Sequence, residues 1–423
     1  MNLINSNIFK NLSFLFSQNI LRMIVGLFVG IWLARYLGRE SYGVFNFVLS
    51  FLFIFQPIIN FGLNETIVRR IKQGELSENV ILGSASYIQL FSTIISWILM
   101  IIVSVFMSLP EEINIFIFLY SLSTALSPLN NIESFLYSKL RLGKLVFCRS
   151  GIFLIIALLK IIFILMGMTL FSFICLSSIE MIFIVLVNLY VYKKEKLSVR
   201  DWIVDKDLSL SMAKESFSLV IDNFVMKGLS KIDQFFIVQM TSFTTLGLYA
   251  ASAKLIEVWA FLPTIIANVY FSKILDQKDN EQQIIQFFSL LFWSSFTLAL
   301  GCFVLNEYII KFVYGDQFLG AEIFLKWYAI QFMFSFYSAG KLKYFSSLLK
   351  NHLNVVSSLC VLCVNILLNL VLIKKFGAIG AIYASILAHF LVNLVFHFSV
   401  KEFSQMNRFY LKSIIYPLYR IRL

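Results

Sequence analysis

Six ionisable side chains stand within long apolar stretches of this chain: Arg22, Lys227, Lys231, Asp233, Lys254 and Glu257. At the centre of a bilayer such a group costs at least about 2.5 kcal/mol, so it is kept only where it meets protein, water or a ligand. Lys254 and Glu257 are three residues apart and are spaced to pair along one helix face. Asp222 and Asp233 project to a different side of their helix from Lys227 and Lys231, which leaves room for separate anionic and cationic surfaces. Excess Arg and Lys attract an anion, and phosphate suits both: Arg binds it through paired hydrogen bonds, Lys as a point charge. A phosphate-bearing cargo is therefore the expectation. Glu133, Arg149, Lys160, Glu180, Lys326, Lys341 and Lys343 lie nearer span ends or are less well patterned, and snorkelling to the interface accounts for them as well as function does.

Uncharged polar residues share faces with these charges. At about 100° per residue, Asn46, Ser50, Asn60 and Asn64 fall on one side of a helix together with Pro57. Similar stripes join Asn11, Gln18 and Arg22; Asn223, Lys227, Ser230, Lys231 and Gln234; Lys254, Glu257, Thr264 and Asn268; and Asn354, Ser358, Asn365 and Asn369. Together they are expected to line one polar cavity. The competing account is that Asn and Ser only join helices, each hydrogen bond adding about 0.6 kcal/mol, and for any one Asn taken alone that account is the stronger.

Other chemistries lack their signatures. Gly143-Lys144 is followed by Leu145 and Gly340-Lys341 by Leu342, so there is no GxxxxGK[ST] phosphate loop and ATP is not expected to drive this chain. His352, His389 and His397 stand in no metal-ligand spacing, and neither HExxH nor GxSxG occurs. Neither a metal nor a cofactor is expected. The five cysteines lie in apolar segments; Cys360 and Cys363 form a CxxC, but a redox or zinc pair needs a thiolate with access to water. An enzyme is not the expectation.

The elements that must position these residues are membrane helices. Of 423 residues, 59% are hydrophobic, 46 are Phe, and only 14% are charged, against roughly 25% in soluble domains. A span needs about 20 mostly apolar residues, so the chain holds about a dozen and little else. Hydrophobic runs between breakers give twelve: 11–37, 44–66, 81–109, 113–137, 145–167, 170–192, 213–239, 246–271, 284–305, 321–349, 353–373 and 381–400. Arg69, Arg70 and Lys72, then Lys139, Arg141 and Lys144, then Lys193, Lys194, Lys196, Arg200 and Lys206 follow the even spans and mark the cytoplasmic side. Both termini are thus expected inside, although Lys374 and Lys375 fall on the outer side. The formal charge of +12 reflects this bias, and scattered loop charges do not make a nucleic-acid surface. Pro57, Pro128 and Pro263 fall inside spans, where each removes a backbone hydrogen bond and favours a kink, moving or static.

The chain also looks doubled. Tyr42-Gly43-Val44-Phe45 leads to Pro57 as Leu246-Gly247-Leu248-Tyr249 leads to Pro263. The expected architecture is all-α: two pseudo-symmetric six-helix lobes, 1–192 and 213–423, joined by a cytoplasmic linker 193–212 and arranged around a central cavity.

Phe16-Ser17-Gln18-Asn19, Ala34-Arg35-Tyr36-Leu37-Gly38 and Tyr42-Gly43 resemble the opening of Wzx-type polysaccharide flippases of the multidrug, oligosaccharidyl-lipid and polysaccharide exporter (MOP) superfamily. Lys231-Ile232-Asp233-Gln234, and Leu246-Gly247-Leu248-Tyr249-Ala250-Ala251 with Lys254, Glu257 and Pro263, are similar to that family's seventh and eighth spans. Asn365 to Asn369, with Lys375-Phe376-Gly377-Ala378-Ile379-Gly380-Ala381, resembles its eleventh span and the following turn. The resemblance covers essentially the whole chain. It implies a bacterial inner-membrane flippase that turns undecaprenyl-pyrophosphate-linked oligosaccharide units for O-antigen or related polysaccharide toward the periplasm. It implies Arg22, Lys231 and Lys254 as candidates for the pyrophosphate; the seventh span departs from the family in carrying both Lys227 and Lys231, so Lys227 is a further candidate, and which of the two, if either, meets phosphate stays open. Asp233 and Glu257 are implied as ion-coupling carboxylates, the polar stripes as sugar contacts, and polymerase and chain-length proteins of the same pathway as partners, with membrane lipid around the whole. A cation-coupled multidrug exporter is the alternative within the superfamily, and a membrane-embedded glycan polymerase is the alternative from another class. The first is disfavoured because a cationic cavity repels cationic drugs, the second because the outer loops are short.

Overall fold

Long apolar runs without interior breakers satisfy their own backbone groups only as helices in lipid, and the chain obeys that constraint throughout. The computed structural model describes the backbone of residues 2–276 and 281–416, and side chains for 21–270 and 281–416. Among these residues every regular element is helical. The series runs α1 (Asn2–Asn60), α2 (Leu63–Gln73), α3 (Glu78–Phe106), α4 (Glu111–Leu122), α5 (Asn131–Ser138), α6 (Gly143–Leu165), α7 (Leu170–Lys194), α8 (Lys206–Met240), α9 (Phe243–Glu257), α10 (Phe261–Asp276), α11 (Glu281–Tyr314), α12 (Ala321–Ser347), α13 (Asn351–Phe376), α14 (Ile379–Ser399) and α15 (Lys401–Ile415).

Among the described residues, nine helical segments are long and apolar enough to cross a membrane. One of them, Leu21–Gln73, takes in α1 from Leu21 onward together with α2; α1 holds two expected spans separated at Gly38, where φ is 72° and the helix is interrupted. The two expected spans outside that set are α8, which carries Asp222, Lys227, Lys231 and Asp233, and α12, which is rich in Tyr and Ser and carries three Lys. The twelve-span expectation thus meets a chain whose two least apolar spans are the ones richest in polar side chains. The protein is a multi-pass membrane protein. Its outward belt is apolar, with Phe106, Leu165 and Phe312 almost fully exposed.

Each interior proline sits at a helix irregularity, as the loss of an N–H predicts. Past Pro57 the helix ends and Phe61 and Gly62 turn left-handed before α2. Pro128 lies in a 3-10 stretch, Ser123–Asn130, between α4 and α5. Pro263 follows the 3-10 turn Val258–Ala260 that divides α9 from α10.

The chain divides into two compact units. The first contains 1–37 and 44–227, the second 38–43 and 228–423. The division falls inside α8 at Lys227 and Gly228, not in the segment 193–212. In the first unit, the stretch after α7 is docked rather than free. Ile203 N donates to Asn79 O (3.2 Å), Asp205 N to Ser84 Oγ (3.1 Å), and Trp202 Nε1 to Tyr192 Oη (3.0 Å). The first half of α8 then binds α2, with Thr66 and Ser216 hydroxyls 2.7 Å apart and Arg70 donating to Glu215 Oε2 at 3.0 Å. Those contacts carry the unit boundary past the linker into α8.

In the second unit, the glycines of the sequence repeat meet. A Cβ on Gly43 would stand 1.9 Å from Phe243 O and 2.9 Å from Gly247 N, and a Cβ on Gly247 would stand 1.7 Å from Arg39 O. Two backbones cross where neither residue has a side chain, the arrangement that small residues permit in membranes. Gly43→Ala and Gly247→Ala must each push the backbones apart, and overpacking of this kind costs about 1–3 kcal/mol. Thermal unfolding in detergent should fall for both. Gly151→Ala and Gly301→Ala, where a Cβ meets nothing within 4 Å, should match wild type; equal melting of all four variants would contradict the crossing.

Candidate functional site

The second unit buries a carboxylate in hydrogen bonds. Asp233 on α8 is 3% exposed. Its Oδ1 accepts from Asn369 Nδ2 on α13 (2.9 Å) and its Oδ2 from Ser385 Oγ on α14 (2.8 Å). Asn369 Nδ2 also donates to Asn365 Oδ1 (2.9 Å), and Asn365 Nδ2 to Ser385 Oγ (2.9 Å). Three of these groups come from the i, i+4 pair on α13 and the small-residue face of α14, which also buries Ala381, Ala384 and Ala388. A buried charge is tolerated only when it is hydrogen-bonded on all sides, and this ring of donors meets that need. In the cluster Asn369 Oδ1 stays unmatched, buried without a hydrogen-bond partner, as does Gln234 Oε1 on the next residue of α8. The cluster therefore has spare oxygen capacity, which a small hard cation or a shared proton would use.

Two residues earlier on α8, and so on a different side of that helix, Lys231 Nζ donates to Glu257 Oε1 on α9 at 2.8 Å. The expected partner for Glu257 along its own helix was Lys254; packing brings Lys231 instead across the helix interface. Lys254 is half-buried. Asn268, on α10, is exposed. Asn365, Asn369 and Gln234 are almost fully buried, so the first two face Asp233 inside the unit.

In the first unit, Lys227 Nζ donates to Gln56 Oε1 and stands 4.3 Å from the centre of the Phe53 ring. A cation over an aromatic face keeps part of its solvation. Arg22 lies 5.5 Å from the Phe153 ring centre, its Nε buried without a hydrogen-bond partner, within the fields of Glu180, Arg149 and Glu133. Asn60 accepts from Gln89 Nε2 at 3.5 Å and Asn64 Oδ1 from Ser134 Oγ at 3.0 Å, so both join helices. Asn46 is half-buried; Asn223 is exposed and donates to Leu219 O of its own helix at 2.9 Å. Gln18 lies outside the residues whose side chains are described.

Snorkelling does not describe five of the charges assigned to it. Arg149 forms a forked pair with Glu133 (2.6 and 2.9 Å) and also donates to Asn188 Oδ1 (2.7 Å); Asn188 Nδ2 in turn reaches Asn130 Oδ1 (3.1 Å). Lys160 pairs with Glu180 at 3.4 Å. Both pairs link neighbouring spans inside the unit, next to Arg22. In the second unit Lys341 is 2% exposed and donates to Ser357 Oγ at 2.8 Å. The available signal was the presence of opposite charges on successive spans; distance to span ends hid it.

A family model described as polysaccharide biosynthesis protein matches residues 32–323. No curated protein sequence matches the chain. Among solved structures, the chain is similar to lipid II flippase MurJ in an inward closed conformation, at 17% identity over 96% of this chain and 91% of that one, with a TM-score of 0.72. It is similar to an inward-facing multidrug resistance MATE family transporter of the MOP superfamily, at 13% identity over 92% and 96%, TM-score 0.65. It also resembles the Vibrio cholerae MATE transporter VcmN in its bent form, at 14% identity over 96% and 100%, TM-score 0.53. These likenesses give the fold: that of MOP-superfamily transporters.

Arg149 is largely buried but Glu133 is 37% exposed, so solvent screens part of the charge left behind when one partner is removed, and the loss is on the order of 1 kcal/mol. Arg149→Met should therefore lower the melting temperature in detergent, and the double variant with Glu133→Gln should recover most of the loss. Additive losses in the double variant would show that the two side chains are not coupled.

Proposed function

This chain belongs to the polysaccharide biosynthesis protein family, and from that premise we propose that it turns undecaprenyl-pyrophosphate-linked oligosaccharide units, of O-antigen or a related polysaccharide, from the cytoplasmic to the periplasmic leaflet. The observation that carries the proposal is the set of intramembrane cations in a chain of that family. Arg22, Lys227, Lys231 and Lys254 are the groups that meet pyrophosphate, because a doubly anionic headgroup cannot enter an apolar phase without counter-charges. Glu257, bonded to Lys231, competes with the pyrophosphate for that ammonium; neutralising Glu257 frees Lys231 for the cargo. Asp233, with its spare neighbouring oxygens, is the second ion-coupling carboxylate. The exposed polar side chains Asn223 and Asn268 are sugar contacts, and the polyprenyl tail stays in the bilayer. The site of action is the bacterial inner membrane, with both termini cytoplasmic, upstream of polymerase and chain-length proteins. Alternating access supplies the movement, and no bond is made or broken.

A charge-assisted hydrogen bond contributes roughly 1.5–3 kcal/mol, so a lost phosphate contact should lower transport about tenfold or more. In a strain lacking the gene, wild type should restore surface polysaccharide, while Arg22→Ala, Lys231→Ala, Lys254→Ala and Asp233→Asn at matched protein levels should leave repeat units on the cytoplasmic leaflet. Normal polysaccharide in the null strain would sink the proposal in favour of drug export. Units that reach the outer leaflet but stay unpolymerised would point to a polymerase.

A further inference from the structure

In the first unit, one face of α6 gathers charges from three other helices. At about 100° per residue, Arg149, Phe153 and Lys160 fall within about 40° of one another. Arg149 lies about 6 Å before Phe153 along the helix and Lys160 about 10 Å after it. Each of these cations holds a carboxylate from a neighbouring helix: Arg149 holds Glu133 of α5, and Lys160 holds Glu180 of α7. Between the two pairs, α1 meets the Phe153 ring. A Cβ on Gly26 would stand 3.8 Å from Phe153 Cζ, and the guanidinium of Arg22, one turn earlier on α1, lies 5.5 Å from the ring centre. Three cations thus share two carboxylates, and Arg22 is the one with no ion pair among the described residues.

The two carboxylates are not equally committed. Glu133 is gripped by both terminal nitrogens of Arg149, at 2.6 and 2.9 Å. Glu180 accepts one long bond from Lys160, 3.4 Å to Oε2, and its Oε1 takes no hydrogen bond among the described residues. It also exerts the stronger attraction of the two on Arg22. The cluster therefore holds one spare donor, Arg22 Nε, and one spare acceptor, Glu180 Oε1. A guanidinium and a carboxylate can join through two parallel hydrogen bonds, a stronger tie than a ring face offers a cation.

We infer that Glu180 is a positioning residue for Arg22: it takes the guanidinium when the cargo leaves, and gives it up, turning to Lys160, when an anionic headgroup arrives. The inference rests on the reading of Arg22 as a pyrophosphate contact. A cation that binds pyrophosphate inside a membrane must also let it go, and a carboxylate on an adjacent span supplies a competing partner that stays with the protein. Lys160 sets the balance, because Glu180 held by Lys160 leaves Arg22 to the cargo. The arrangement seen here, with Glu180 on Lys160 and Arg22 on the Phe153 ring, is the one ready for a headgroup.

The test is equilibrium binding of undecaprenyl pyrophosphate, without sugar, to the full chain purified in mild detergent. Glu180→Gln removes the competitor and should tighten binding at least about threefold, whereas Lys160→Met releases Glu180 to Arg22 and should weaken it by a similar factor. Glu180→Asp, which keeps the charge, should stay near wild type. In an Arg22→Ala background the effects of Glu180→Gln and Lys160→Met should both vanish, which a merely structural role does not produce. Either variant, compared with its Arg22→Ala double, decides the matter if the other fails to fold. Affinity unchanged by Arg22→Ala, or no binding at all, would overturn the reading of Arg22 as a pyrophosphate contact and this inference with it. If Arg22→Ala weakens binding while Glu180→Gln and Lys160→Met leave it unchanged, shift it in the same direction, or act equally without Arg22, the role of Glu180 alone is overturned.

Discussion

An ionisable group inside lipid must find hydrogen bonds or an opposite charge within its own protein, and much of this structure is arranged to meet that demand. Asp233 illustrates it. One carboxylate on α8 draws Asn369 and Ser385 from two other helices, which ties α8, α13 and α14 together within the second unit. The first unit meets the same demand with opposite charges, through Arg149 with Glu133 and Lys160 with Glu180. Carriers of polar cargo must keep such groups in reach of the membrane interior, and the hydrogen-bond networks are what make them tolerable there.

Packing without side chains complements packing around charges. Where Gly43 and Gly247 meet, backbones approach closely enough to exclude a Cβ, and van der Waals contact takes the place of a hydrophobic driving force that lipid does not supply. The prolines act in the opposite sense, by removing hydrogen bonds at the ends of α1, between α4 and α5, and after α9. Regular helices therefore carry the span lengths, and the irregular positions set where direction changes.

How much of this was legible depended on the range of the interaction. Span lengths and the interruption at Gly38 could be read locally, since apolar run length and backbone breakers are properties of consecutive residues. Asp233 and Lys231 stood out because a charge in an apolar run is costly wherever the helix packs. The partner of Glu257 was not legible: i, i+3 spacing pointed to Lys254, whereas tertiary packing delivers Lys231 from α8. Arg149 and Glu133 were missed for the same reason, as a pair split between helices leaves no periodic trace. Asn365 and Asn369 were correctly placed on one face, but only the fold reveals that this face meets a carboxylate.

The central claim is that cations within the membrane carry a pyrophosphate-linked oligosaccharide across it. The most direct test reconstitutes the purified chain in liposomes containing a fluorescent undecaprenyl-pyrophosphate-linked oligosaccharide and measures how fast the outer-leaflet pool becomes exchangeable with the inner one. Exchange that requires the protein, falls with Arg22→Ala or Lys231→Ala, and is competed by excess unlabelled lipid-linked sugar but not by a cationic drug is the predicted result. Exchange at the rate of protein-free liposomes, with drug transport by the same preparation, would contradict it.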